Sequence, residues 1–242
     1  MTKIESTINE TKEIIVRPRP MRIGIAARLG SGKTTFMRGL EEILPEALFI
    51  DEDFKNNPHL VNAYSHPKEY SFLSQDWAFD RKKEQLKAID NNFAVFVPLL
   101  IDKAYAKTYY KMGFISEENW QTYLYNYDLA ISLGEIPQPD VILKLEIEDK
   151  ALKERIFSRG RGFEKGVTDE FLRTLEELMK ECIGESGIPV IPIDVQYQDV
   201  RDLKKMGEII EGIEYQIYQK LKNKFEGPSP ELTMPTKKGK IL

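Results

Sequence analysis

The chain has 242 residues, 41% hydrophobic and 31% charged, with 35 Lys and Arg against 39 Asp and Glu, a net charge of −4. This is the composition of a globular domain with room for a sizeable core, and its mildly acidic balance excludes a surface built to coat nucleic acid or an anionic membrane. One cysteine, Cys182, and two separated histidines, His59 and His66, exclude an internal disulfide and a zinc cluster.

Residues 1–18 are polar, run into "RPRP" and read as a flexible arm, and residues 226–242 read as a disordered Pro- and Gly-rich tail. The opening stretch lacks an apolar core of signal-peptide length, and no run reaches the roughly 20 apolar residues of a membrane span. A cytoplasmic location is expected. Residues 19–225 then form a single domain in which apolar runs alternate with amphipathic ones. "MRIGIA" (21–26), "ALFI" (47–50), "FAVFVPLL" (93–100), "DVILKLEI" (140–147) and "IPVIPI" (188–193) read as short buried strands. Residues 67–90 and 103–133 read as long helical stretches rich in aromatics. The last helix carries Leu203, Met206, Ile210, Ile213, Ile217 and Leu221 at spacings of three and four, with Asp199 as its cap and Asp202 in its first turn. The alternation predicts an α/β fold, a five-stranded parallel sheet flanked by helices.

Between the first strand and the first helix lies "AARLGSGKTT" (26–35). Backbone N–H groups of such a turn converge on phosphate oxygens, and the following helix adds its positive end. Ala27, Arg28, Leu29, Gly30, Ser31, Gly32, Lys33, Thr34 and Thr35 form this candidate nucleotide loop. Lys33 is placed to reach the terminal phosphates and Thr34 to ligate Mg²⁺. The full pattern has glycine where Ala27 stands, so a slightly distorted loop is expected. In "LKERIFSRGRGFEKG", Arg155 and Arg159 stand four apart on one helical face, Gly160 breaks the helix and Arg161 follows. Three guanidiniums converging there would neutralise charge on a transferring phosphoryl group. "LFIDEDF" puts Asp51, Glu52 and Asp53 where the second strand ends, the edge at which open parallel sheets bind ligands. A carboxylate there can accept a hydroxyl proton or hold the shell of Mg²⁺. Tyr105, Tyr109, Tyr110, Trp120, Tyr123, Tyr125 and Tyr127 read as core or subunit surface.

With those residues in view, the chain over about residues 21–220 resembles the deoxynucleoside kinase family. The resemblance rests on "LGSGKTT", on the stretch from "DEDF" to "SQDWAFDRKKEQ", on "PDVILKLEI" and on the arginine segment. It implies ATP as donor, Mg²⁺ held through Thr34 and Glu52, and a homodimer. It makes Glu52 the general base for a nucleoside 5′-hydroxyl, with Lys33 and Arg159 on the phosphoryl group. On the same resemblance Gln75 would pair with the base, and Trp77 and Phe79 would line the pocket. The resemblance further implies that Arg155, Arg159, Arg161 and Glu164 form an arginine-bearing lid and that Asp194, Gln196 and Tyr197 cup the adenine of ATP. The family's acidic-Arg-Ser triplet after the third strand is missing; Asp102 is the nearest carboxylate. Lys82, beside Arg81, stands where the family has arginine, and Asp53 where it has proline. Two alternatives stay open: a nucleoside monophosphate kinase of the thymidylate kinase type, using Arg81 and Lys82 for an acceptor phosphate, and a nucleotide-binding chain without turnover.

Overall fold

The computed structural model of the chain describes residues 20–162, 166–196 and 202–222. Five strands, β1 (Arg22–Ala26), β2 (Leu48–Ile50), β3 (Ala94–Phe96), β4 (Val141–Glu146) and β5 (Val190–Asp194), form one sheet in the order β2-β3-β1-β4-β5. Every pairing is parallel; Ile23, for example, lies opposite Val95 on one side and Val141 on the other. Central strands of a covered parallel sheet are buried on both faces, hence the continuous apolar runs. Parallel pairing also brings the segments after all five strands to one edge of the sheet. That edge, where the connection from β1 runs to β2 and the one from the neighbouring β3 runs the opposite way to β4, is where a ligand crevice opens.

Helices α1 (Lys33–Ile43), α2 (Leu60–Ser65), α3 (Pro67–Leu86), α4 (Leu99–Lys111), α5 (Glu117–Ser132), α6 (Asp149–Ser158), α7 (Asp169–Ser186) and α8 (Leu203–Lys222) make the crossovers and the cover. α1 buries Phe36, Met37 and Leu40, and packs against α8, whose buried face is Met206, Ile210, Ile213 and Ile217, as their spacing predicts. α4 packs on α3, α5 and α7. Thr168 caps α7 by accepting from the Phe171 N–H at 3.1 Å.

Three local expectations are corrected. The third strand ends at Phe96 instead of Leu100, because Pro98 cannot donate to a sheet ladder and becomes the N-cap of α4. The stretch 103–133 is two helices; Gly113, at φ 73°, ends the first, and the Ser116 side chain caps the second by accepting from the Asn119 N–H at 3.2 Å. Asp202 is itself the cap of α8, accepting from the N–H groups of Lys204 at 2.9 Å and Lys205 at 3.3 Å, while Asp199 lies outside the described residues. The expected terminal arm, residues 1–18, and tail, residues 226–242, lie there too.

Candidate active site

The loop after β1 takes its shape from two glycines in the left-handed region, Gly30 at φ 85° and Gly32 at φ 94°. Between them Ser31 is fully buried, and its N–H and hydroxyl both donate to the Arg28 carbonyl, at 3.2 and 2.7 Å. A Cβ on Gly30 would stand 2.5 Å from Ile156 Cγ1, so α6 is packed directly against the loop. Gly30→Ala is therefore expected to cost about 1–3 kcal/mol from backbone strain alone, read as a lower urea midpoint with an unchanged slope. The expected distortion at Ala27 is absent. Its methyl is buried in the core, and Asp90 is the one non-glycine residue with positive φ among the described residues. Alanine is thus accommodated without strain. Lys33 and Thr34 open α1, with Thr34 half-buried and Thr35 exposed.

At the mouth of the loop stands Glu52. Its carboxylate pairs with Lys33 on one side and with Lys82 Nζ, at 3.5 Å, on the other. Lys33 also reaches Asp51 at 3.4 Å, and Lys82 holds Asp102 Oδ2 at 2.5 Å. Burial pushes the Glu52 carboxyl up, but the two ammonium groups outweigh it and hold it at about 2. Asp102 goes the other way: burial, joined by the negative charge of Glu52, overrides Lys82 and raises its carboxyl to about 6. For Lys82, burial lowers the ammonium's pKa, and the two carboxylates more than restore it, so it stays charged.

The segment bearing Glu52 is stapled to α3. Arg81 Nε donates to Asp53 at 2.6 Å, the Gln85 amide to the Asp51 carbonyl at 3.3 Å, and the Asn57 amide to the Ser74 carbonyl at 3.0 Å. Gln75, Phe79, Lys82 and Leu86 share the buried face of α3, one or two turns apart. Phe79 is a core residue in an edge-to-face pair with Tyr123, ring centroids 5.7 Å apart. Trp77 follows Gln75 by two residues, a rotation of about 200°, and so points away from the Gln75 and Lys82 face.

The arginines of this segment take different partners. Arg155 donates to the Ser31 carbonyl at 3.1 Å and to the Val195 carbonyl at 2.8 Å, tying α6 to the loop and to the end of β5. Arg159 is the exposed C-cap of α6. Arg161 lies 4.6 Å from the centre of the Phe54 ring, over the segment that carries Glu52. Asp194 closes β5, and Gln196 follows, its side chain accepting from the Glu148 N–H at 2.9 Å. Glu164 and Tyr197 lie outside the described residues. Two residues of this region escape sequence reasoning. Phe54 has no motif beyond its nearness to Glu52. Tyr105, one of seven aromatics read together, has its hydroxyl raised well above the usual range by burial and then by Glu52, against a hydrogen bond from the Leu29 backbone.

The oxygens near Lys33, the Thr34 hydroxyl and the Asp51 and Glu52 carboxylates, are hard donors that suit Mg²⁺. Among the described residues no group of three His, Cys, Asp or Glu side chains could hold a metal by itself, and Mg²⁺ ordinarily takes most remaining ligands from water and substrate phosphates. A loop shaped for an anion, with an ion-paired carboxylate at its mouth, is the arrangement of a P-loop phosphotransferase.

Comparison with known proteins narrows that class. The deoxynucleoside kinase family model matches residues 23–219. A deoxyadenosine kinase of Dictyostelium discoideum is 27% identical over 190 residues, covering 76% of each chain. A deoxyadenosine/deoxycytidine kinase of Bacillus subtilis (strain 168) is 24% identical over 202 residues, 81% of this chain and 93% of the relative. The solved structure of deoxyadenosine kinase from M. mycoides with bound dCTP shares the fold, with a TM-score of 0.70 at 22% identity over 81% of this chain and 100% of that one. The chain belongs to the deoxynucleoside kinase family.

Proposed function

We propose that the protein transfers the γ-phosphoryl group of ATP to the 5′-hydroxyl of a deoxynucleoside. The observation that carries this is Glu52, one carboxylate held between Lys33 of the phosphate loop and Lys82 of the α3 face that also bears Gln75. The base of an acceptor on that face meets the Gln75 amide, and its 5′-oxygen meets Glu52. Mg²⁺, held through Thr34 and Glu52, would neutralise charge on the phosphates.

Paired with both lysines, Glu52 is too weak a base to be useful. Incoming ATP draws Lys33 onto its phosphates, and the carboxylate then regains basicity just as the acceptor arrives. The 5′-oxygen forms its bond to the γ-phosphorus, the bridging bond to the β-phosphate breaks, the proton passes to Glu52 and ADP leaves. Arg155, Arg159 and Arg161 act as the phosphoryl clamp and lid, with Asp194 and Gln196 beside the adenine. Glu164 and Tyr197 belong to the same lid and adenine site.

The monophosphate alternative is disfavoured. Arg81 is engaged with Asp53, and Lys82 lies buried between two carboxylates, so neither offers a ready site for an acceptor phosphate. Loss of turnover is disfavoured by the unstrained Ala27 and by the Lys33–Glu52–Lys82 array. Two further parts of the reading are a homodimer, for which the exposed ridge Tyr125, Leu129 and Leu133 offers an apolar face, and a cytoplasmic location. No helix among the described residues is long and apolar enough to cross a membrane.

Incubation with ATP, Mg²⁺ and parallel panels of deoxynucleosides and their 5′-monophosphates tests the proposal by mass spectrometry of the products. Monophosphates formed from at least one nucleoside are expected, and their loss in Lys33→Ala. Diphosphates from the monophosphate panel alone, or no product from either, would overturn it.

A further inference from the structure

Arg28 was expected on the nucleotide, yet its guanidinium turns the other way and is buried, with a side-chain exposure of 7%. It donates to Asp149 Oδ1 at 2.6 Å and to the Ile147 carbonyl at 2.7 Å, and pairs with Glu176 Oε2 at 3.2 Å. Those partners belong to the first turn of α6, the connection before it, and α7. Glu176 is held in turn by Lys144 of β4 at 2.8 Å. The backbone of Arg28 is the acceptor that shapes the loop, since Ser31 donates to its carbonyl through both N–H and hydroxyl. At the other end of α6, Arg155 holds the Ser31 carbonyl, and Ile156 fills the space above Gly30.

We propose that Arg28 is a positioning residue for ATP: it clamps the phosphate loop to α6 and α7, so that loop and helix form one rigid cradle whose N–H groups are set before the nucleotide arrives. This rests on the kinase reading. Moving Arg28 moves the Ser31 anchor and, with it, the two left-handed glycines that aim the loop. A planar guanidinium holds two carboxylates and a carbonyl in one fixed fork, a geometry that an ammonium on a flexible stem does not impose.

The test is equilibrium binding, by calorimetry, of ATP and separately of an accepted deoxynucleoside. Arg28→Met is expected to weaken ATP binding about 10- to 100-fold, the order of loss when a preorganised cradle must be ordered on binding, and to leave nucleoside binding within about twofold. Arg28→Lys should fall between it and wild type. Asp149→Asn, at a half-exposed partner, should weaken ATP binding in the same direction and to a smaller degree. Equal loss of ATP and nucleoside binding in Arg28→Met would mean a merely structural role and would overturn the inference. So would unchanged ATP binding in Arg28→Met, or, if that variant does not fold, in both Arg28→Lys and Asp149→Asn. Wild-type protein that binds no ATP would instead bring down the kinase reading, and this inference with it.

Discussion

Glu52→Gln is expected to lower the rate of phosphoryl transfer about 10²- to 10⁴-fold, the range associated with a positioned general base. ATP binding should survive, because the amide keeps the shape of the side chain while losing the ability to take a proton. Steady-state kinetics should therefore show a fall in kcat with little change in the KM for ATP. The same substitution has a signature in stability. The Glu52 carboxyl is held at about 2 in the folded protein, against roughly 4.3 in an unfolded chain. A depressed carboxyl contributes stability that is fully present above the unfolded value and is lost as pH falls through the folded one. The stability gap between wild type and Glu52→Gln should accordingly shrink as pH is lowered from about 4.5 toward 2, measured by denaturant unfolding without nucleotide.

Lys82→Met should cause the largest loss of stability at the site. Lys82 and Asp102 have side-chain exposures of 6% and 11%, and removing one partner of a buried pair leaves an uncompensated charge. The cost is about 3–5 kcal/mol, or a fall in Tm of roughly 6–20 °C for a domain of this size. Adding Asp102→Asn should recover part of it, since the stranded group is then neutral. Asp102 also leaves a mark of opposite sign to that of Glu52. Its carboxyl is raised to about 6 when folded, against roughly 3.9 unfolded. The folded state holds that proton more tightly, so stability should decline as pH rises from about 4 to 6. Asp102→Asn should remove that slope. A Lys82→Met protein as stable as wild type would show that the pair carries little.

The legible parts of this protein are local in sequence. Strand, glycine loop, Lys33 and Thr34 are contiguous, and the parallel alternation brings Glu52 to the same edge without further information. The hydrophobic period of α8 likewise predicts the burial of Met206, Ile210, Ile213 and Ile217. What the sequence leaves hidden are pairings between distant elements. Lys82 meets Asp102 from a different helix, 20 residues on, and nothing in the missing triplet says that this cation and this acid face each other. Arg28 reads as a ligand of phosphate because it sits in the loop. Its partner Asp149 is 121 residues away, and only the packing of α6 against the loop turns the side chain inward. The arginines show a related effect: helical spacing places Arg155 and Arg159 on one face, but Arg155 is held by backbone carbonyls and Arg161 lies over an aromatic ring. Pro98 had the local signal that ends the third strand early, since a proline in an apolar run marks a boundary.

The most direct measurement is a crystal structure with a deoxynucleoside and a non-hydrolysable ATP analogue bound together. With Glu52 as the base, the γ-phosphate should lie in the loop against Lys33, the lysine should be withdrawn from Glu52, and the acceptor's 5′-oxygen should stand within about 2.6–3.2 Å of the Glu52 carboxylate. A nucleoside seated elsewhere, or a 5′-oxygen facing away from Glu52 while Lys33 stays on that carboxylate, would contradict it.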